Sequence, residues 1–177
     1  MANDDSGINI LNFDKELRVN YRKIEKSDNA IIAKIIRDNL EKFSLNIPGT
    51  AYFDPQLDTL SEFYNEKPEM RVYFVVLDDN DNVVGGAGAA EFEGLENTAE
   101  LQKLYLSDSV KGKGYGKELL RIVENWARES GYKKLYLETH TNLSVALKLY
   151  EKAGFKQIDK PKNVAHATMN RFYLKEL

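Results

Sequence analysis

The stretch Thr98 to Leu120 commits the chain to an order of elements that few folds can carry: a strand, a glycine loop and a helix. Ala99 to Leu106 is a strand-length run in which Leu101, Leu104, Tyr105 and Leu106 supply apolar and aromatic character, and Ser107 to Val110 is a short polar connection. Lys111-Gly112-Lys113-Gly114-Tyr115-Gly116 follows, and then Leu119, Leu120, Val123, Trp126 and Ala127 recur at helical spacing. Glycine at alternate positions removes the Cβ atoms that would hold a ligand off the backbone. It also permits positive φ, so that successive N–H groups can converge on one anion. The following helix adds the positive end of its dipole at the same point, and the favoured guest is a phosphate or pyrophosphate. From Lys111 to Lys134 there are seven basic residues against three acidic ones, net +4, while the whole chain is −3. The segment is a basic island on an otherwise acidic protein.

Two familiar phosphate loops do not fit. A Walker loop needs Ser or Thr after Gly-Lys to hold magnesium, and Gly116-Lys117 is followed by Glu118. The dinucleotide fingerprint G-x-G-x-x-G needs its third glycine one residue later than Gly116. The segment resembles motif A of the Gcn5-related N-acetyltransferases, a Q/R-x-x-G-x-G/A loop that joins the fourth strand to a long helix and grips the pyrophosphate of acetyl-CoA. Lys111 stands where that family usually has Gln or Arg. Tyr150-Glu151-Lys152-Ala153-Gly154-Phe155 is similar to the family's Tyr-x-x-x-Gly-Phe signature, and the similar segments run from about Val72 to Leu174.

The resemblance implies an α/β (α+β) architecture: a single mixed, mostly antiparallel sheet of six to seven strands flanked by about four helices. It also implies acetyl-CoA as co-substrate, no metal, and transfer of an acetyl group to a primary amine on a small molecule, polyamine, amino acid or peptide. Lys111, Gly112, Lys113, Gly114, Tyr115, Gly116 and Lys117 would cradle the pyrophosphate, and free backbone groups of Leu104, Tyr105 and Leu106 would meet the pantetheine arm. Asn142 and Lys152 are further cofactor contacts. The family's usual Asn lies seven residues before the tyrosine, but position 143 is Leu, so Asn142 reaches only if it caps the helix.

At 177 residues the chain suits one core, read as a flexible tail over 1–16 and one domain over 17–177. With no cysteine there is no disulfide, zinc–thiolate site or cysteinyl acyl-enzyme, so direct transfer in a ternary complex is the natural route. Two histidines, His140 and His166, do not make a His-rich metal site. The acidic start Met1-Ala2-Asn3-Asp4-Asp5 lacks an apolar leader and no run approaches the eighteen apolar residues of a membrane span. The expectation is a cytoplasmic protein without a membrane partner, and the net acidity argues against a nucleic-acid partner. A homodimer is among the open oligomeric states.

Along the chain, Leu17 to Ile24 alternates as a first strand, and Ser27 or Asp28 caps a helix with Ile31, Ile32, Ile35, Ile36 and Leu40 on one stripe. Ser44 to Pro55 is a loop carrying Tyr52 and Phe53, which either line the acceptor wall or merely cover the core. Leu57 to Tyr64 is a second helix. Val72–Leu77 and Val83–Phe92 are strands joined by an acidic turn, which lacks the Gly and Glu of a calcium loop. Gly85, Gly86 and Gly88 make the second of these slim, leaving room for a ligand or a neighbouring backbone. Lys134–Thr139 is the next strand, followed by a helix with Tyr150 on its inward stripe, and Phe155–Ile158 and His166–Leu174 are the last strands.

An alkylammonium of pKa near 10.4 is neutral only about one part in a thousand at pH 7.4, so a base is needed. Glu100 precedes Lys111 by eleven residues, where enzymes similar to this one place a glutamate base; an exposed edge residue is the plainer reading. Tyr150 stands at the family's general-acid position, against a tyrosine that only packs. His166 and Asn170 either face the acceptor or are ordinary strand residues. The function competing with catalysis is a non-catalytic acyl-CoA-binding regulatory domain. Both bind CoA, and only the enzyme releases thiol in the presence of an amine.

Overall fold

The computed structural model describes residues 19–177. The expected tail over 1–16 and the first two residues of the expected first strand lie outside the described residues. Seven strands form one sheet: β1 (Asn20–Lys23), β2 (Val72–Leu77), β3 (Val83–Glu91), β4 (Thr98–Leu106), β5 (Lys134–Thr139), β6 (Lys156–Ile158) and β7 (Arg171–Glu176), in the order β1-β2-β3-β4-β5-β7-β6. Every pairing is antiparallel except β4 with β5. The helices are α1 (Asn29–Lys42), α2 (Leu60–Asn65), α3 (Tyr115–Glu129) and α4 (Ser144–Lys152).

Alternation along β2 sorts the helices onto two faces. Val72, Phe74 and Val76 join Leu119, Leu120 and Val123 of α3 in one core. Tyr73 and Val75 face the other way, onto Ile32, Ile36 and Leu40 of α1 and Leu60 and Tyr64 of α2. Ile31, expected on the α1 stripe, is on its exposed side. Asp28 holds the cap position of α1, but its carboxylate takes Arg22 (2.6 and 2.9 Å) and Glu25 N (2.8 Å) rather than capping the helix.

The room left by the glycines of β3 is filled by the chain itself. A Cβ on Gly86 would collide with the Tyr73 ring and come 2.6 Å from Phe74 O; on Gly88 it would come 2.6 Å from Val72 O and 2.9 Å from the Tyr64 ring. Tyrosine rings and neighbouring backbone occupy the space, and no ligand fits there.

The sheet opens at one place. The strands β4 and β5 pair only through Thr98, Ala99 and Glu100 against Lys134, Leu135 and Tyr136. Beyond Glu100, β4 leans on β3 alone, and its ladder is broken by a bulge between Gly86 and Gly88. Lys103 sits there at φ +52°, its carbonyl accepting from Tyr73 Oη at 2.9 Å. The β5-facing edge of the rest of β4 is therefore unpaired. The last strand begins later than expected, because residues 166–170 turn instead: Met169 N donates to His166 O (3.0 Å), and the His166 amide donates to the Glu138 carboxylate (3.0 Å).

Candidate active site

At the end of β4 the chain makes a helical turn (Asp108–Val110), then passes through Gly112 (φ +76°) and Gly114 (φ +89°) into α3. Gly114 is the N-cap and brings no capping side chain. The first carbonyl used is that of Gly114, by Glu118 N at 3.1 Å, so the N–H groups of Tyr115, Gly116 and Lys117 lack an intrahelical acceptor. A Cβ on Gly112 would meet nothing within 4 Å, whereas Gly116 lies under Leu149 of α4, 3.4 Å from where its own Cβ would be. The loop thus turns free amides toward open space, with exposed Lys113 and Lys117 beside it, a geometry suited to an anion.

The Lys111 side chain points elsewhere. Its ammonium donates to Asn39 Oδ1 and Asp108 Oδ1, both at 2.6 Å, and Asn39 in turn donates to Leu106 O at 3.0 Å. It offers the open side of the loop only its backbone, while its side chain ties the loop to α1. Lys152 is exposed in the last turn of α4, one turn beyond Leu149. Asn142 does not cap α4: Leu143 holds that position, and the Asn142 amide donates to Phe43 O at the end of α1 (3.0 Å).

Where the sheet opens, a small cleft of roughly 50 Å³ is lined by Ala51, Leu101, Gln102, Tyr105, Met169 and four charged residues, Glu100, Lys103, Glu138 and His166. Glu100 is the last residue of β4 paired to β5, and it is buried. Its Oε2 accepts from Gln102 Nε2 at 2.7 Å, and Gln102 is held by Tyr64 Oη at 2.8 Å. Burial and the neighbouring Glu138 push the Glu100 carboxyl up to about 7, against the pull of Gln102. Tyr150 is buried on the inward face of α4, and its hydroxyl has no hydrogen-bond partner among the described residues. Burial holds it as the phenol, and Tyr105, whose own phenol is raised by burial and by Tyr150, lies close by. Leu104, Tyr105 and Leu106 are on the opened edge of β4.

The second half of the cleft is a charge cluster drawn from four segments. His166 Nδ1 is 2.6 Å from Glu138 Oε1, and Nε2 is 2.9 Å from Asp54 Oδ1. Lys103 Nζ is 2.5 Å from Asp54 Oδ2, an ion pair without hydrogen-bond alignment, since that oxygen accepts no directed bond. Burial opposes the His166 charge, but Asp54 and Glu138 outweigh it and raise the ring to about 9. Burial likewise opposes ionisation of Asp54, and His166 and Lys103 overcome it, holding the carboxyl below its usual range. The expected wall is only partly as read. The Tyr52 hydroxyl turns to Glu41 (2.6 Å), Phe53 is 58% exposed, and Asn170 bonds Thr141 through its side chain, at 3.1 and 3.3 Å, away from the cluster.

Asp54, Gln102, Lys103 and Glu138 were not anticipated from sequence. The available signals were a lone charge in the 44–55 loop and charged residues placed within apolar strands.

The profile of the acetyltransferase (GNAT) family matches residues 34–155. The chain is 39% identical over 140 residues, covering 78% of it and 82% of the relative, to an uncharacterized N-acetyltransferase of Escherichia coli K12, YjgM. A GNAT-family acetyltransferase of Staphylococcus aureus Mu50 superposes with a TM-score of 0.79 at 22% identity, covering 90% of this chain and 99% of that one. The PaiA N-acetyltransferase of Thermoplasma acidophilum, in complex with coenzyme A, does so at 0.70 and 20% identity, over 91% and 100%. The strands β2 to β5, the glycine loop and the helices α2 to α4 lie within a match that spans well over half the sequence, and the chain belongs to the acetyltransferase (GNAT) family.

Proposed function

We propose that the protein transfers the acetyl group of acetyl-CoA to a primary amine by direct attack within a ternary complex. The observation that carries this reading is the opened edge of β4, which begins at a buried carboxyl, Glu100, and ends at the free amides that open α3. The residues present fit the co-substrate. Free N–H groups at the start of α3 and the open side of Gly112 suit a diphosphate, and the backbone of Leu104, Tyr105 and Leu106 suits an amide-bearing arm. Bound there, acetyl-CoA supplies a thioester activated toward an amine.

Glu100 takes the proton from the incoming ammonium. With its carboxyl at about 7 it is mostly ionised at pH 7.4, and it receives a proton far more readily than an ordinary glutamate. Moving that proton from an amine near 10.4 is uphill by roughly 4–5 kcal/mol, a modest part of an enzymatic barrier. Tyr150 keeps its proton until a thiolate leaves, gives it to the sulfur from its unpartnered hydroxyl, and is restored by the second proton that the acylated nitrogen sheds. Ala51, Leu101 and Met169 give the acceptor's body an apolar margin. The acceptor is a small-molecule or peptide amine. A panel of polyamines, amino acids and a lysine peptide, assayed with acetyl-CoA for free thiol, tests the reading. Release with one class, lost in Glu100→Gln and in Tyr150→Phe, supports it; no release with any class overturns it.

A further inference from the structure

His166 lies between two carboxylates, and each ring nitrogen faces an oxygen that only accepts: Glu138 Oε1 at 2.6 Å and Asp54 Oδ1 at 2.9 Å. A neutral imidazole has one N–H and one lone pair, so either tautomer would aim a lone pair at a carboxylate oxygen. A proton parked on Glu138 would relieve this, but Glu138 Oε1 also accepts the backbone N–H of His166 at 3.0 Å. That is the role of a carboxylate oxygen, and one that a carboxyl hydroxyl fills poorly.

We propose that His166 is an imidazolium at neutral pH and a positioning residue, a charged strut that fastens the 44–55 loop, through Asp54, to β5, through Glu138. The loop it fastens is the wall of the acceptor cleft. A second tie runs the same way, with Thr168 N donating to Gly49 O (3.2 Å) and Thr168 Oγ1 to Pro48 O (2.7 Å). The groups facing the ring are Asp54 from the loop, Glu138 from β5, and Lys103 and Glu100 from β4. Asp54 lies between the His166 ring and the Lys103 ammonium, and Glu138 lies on the other side of the ring. The Glu100 carboxyl beside them is pushed up to about 7. The strut rests on the reading of this cleft as the acceptor site, but its protonation state is independent of any turnover.

Nitrogen NMR of the two histidines, with His140→Gln leaving His166 alone, reads that state directly. Both ring nitrogens protonated at pH 7.5, with a midpoint above 8, is the expected result. A neutral tautomer at pH 7.5, or a midpoint near the ordinary 6.5, overturns the proposal. Asp54→Asn keeps an acceptor for Nε2 but removes a charge, and brings the midpoint down by about one unit or more; an unmoved midpoint counts against the strut. In His166→Gln the amides of residues 44–55 exchange about tenfold faster or more while acetyl-CoA affinity, measured by calorimetry, stays within about twofold. Unchanged exchange would refute the strut. Lost acetyl-CoA binding by the unmutated protein would instead refute the function proposed above.

Discussion

Glu100→Gln is expected to make the protein more stable and less active, by amounts that depend on pH in a defined way. The Glu100 carboxyl is raised from 4.5 to about 7 by burial and by Glu138. Between those values the folded protein holds a proton that the unfolded chain has released, so stability falls as pH rises through the window, and the full cost is present above 7. At about 1.36 kcal/mol per pH unit the ionised residue costs the fold about 3 kcal/mol at pH 8.5, and under about 1 kcal/mol at pH 5. Glutamine is neutral at both, has nearly the same volume, and its oxygen can still accept from Gln102 Nε2. At roughly 2–4 °C per kcal/mol for a chain of this size, the variant melts about 6–12 °C above the unmutated protein at pH 8.5 and within about 4 °C of it at pH 5. Paired thermal melts by circular dichroism at the two pH values measure this. The difference between the gaps reads the Glu100 carboxyl together with its coupling to the His166 ring. Thiol release with an accepted amine should fall by about a hundredfold or more. A melting gap that does not change with pH, or a variant less stable at pH 8.5, would refute the account of Glu100 as a carboxylate held against its solvation.

Tyr150→Phe removes a hydroxyl that has no partner among the described residues, so the melt should stay within about 1 °C while thiol release slows about 10- to 100-fold. Gly86→Ala and Gly112→Ala separate packing from ligand space. The first drives a methyl into Tyr73 and Phe74 O and should cost about 2 kcal/mol or more in a denaturant titration. The second has open space but φ +76°, and should cost only about 1 kcal/mol while weakening acetyl-CoA binding in calorimetry. Arg71 grips Glu91 with two prongs (2.7 and 2.9 Å), and its guanidinium is the main cause that holds the Glu91 carboxyl down at about 2. That stability is present above pH 4.5 and lost as pH falls toward 2, so Arg71→Lys should lose about 1–2 kcal/mol at pH 7 and show a shallower acid transition.

What was legible in the sequence was whatever a short window determines. The bounds of β2, β4 and β5 follow from apolar runs with turn residues at both ends, and the turn from β4 into α3 was legible because glycine spacing announces it. The charge cluster was not. Asp54 and His166 are 112 positions apart and Glu138 and His166 are 28 apart, so nothing local says that these charges share one buried space. Lys103 was hidden for a different reason: the bulge in β4 breaks the two-residue alternation from which its direction would be read.

The glycines of β3 show how such a reading can be tightened. Gly85, Gly86 and Gly88 announce missing side-chain volume, and volume missing from a sheet is filled either by a guest or by whatever large side chain the partner strand brings to it. Register decides between them. Tyr73 is paired directly with Gly88, and its ring also covers Gly86. The ring's reach ends in its hydroxyl on Lys103 O, so the same tyrosine that closes the gap in β3 also props the bulge of β4. A tyrosine opposite a run of glycines is thus better explained as a brace than as a neighbour to a cavity. In this chain the brace stands under the strand edge on which the proposed chemistry depends. Tyr73→Phe should leave the core filled and yet free the Lys103 carbonyl. Thiol release that falls about tenfold with an unchanged melt would locate the loss in the bulge, and unchanged release would show that the bulge holds its shape without the hydroxyl.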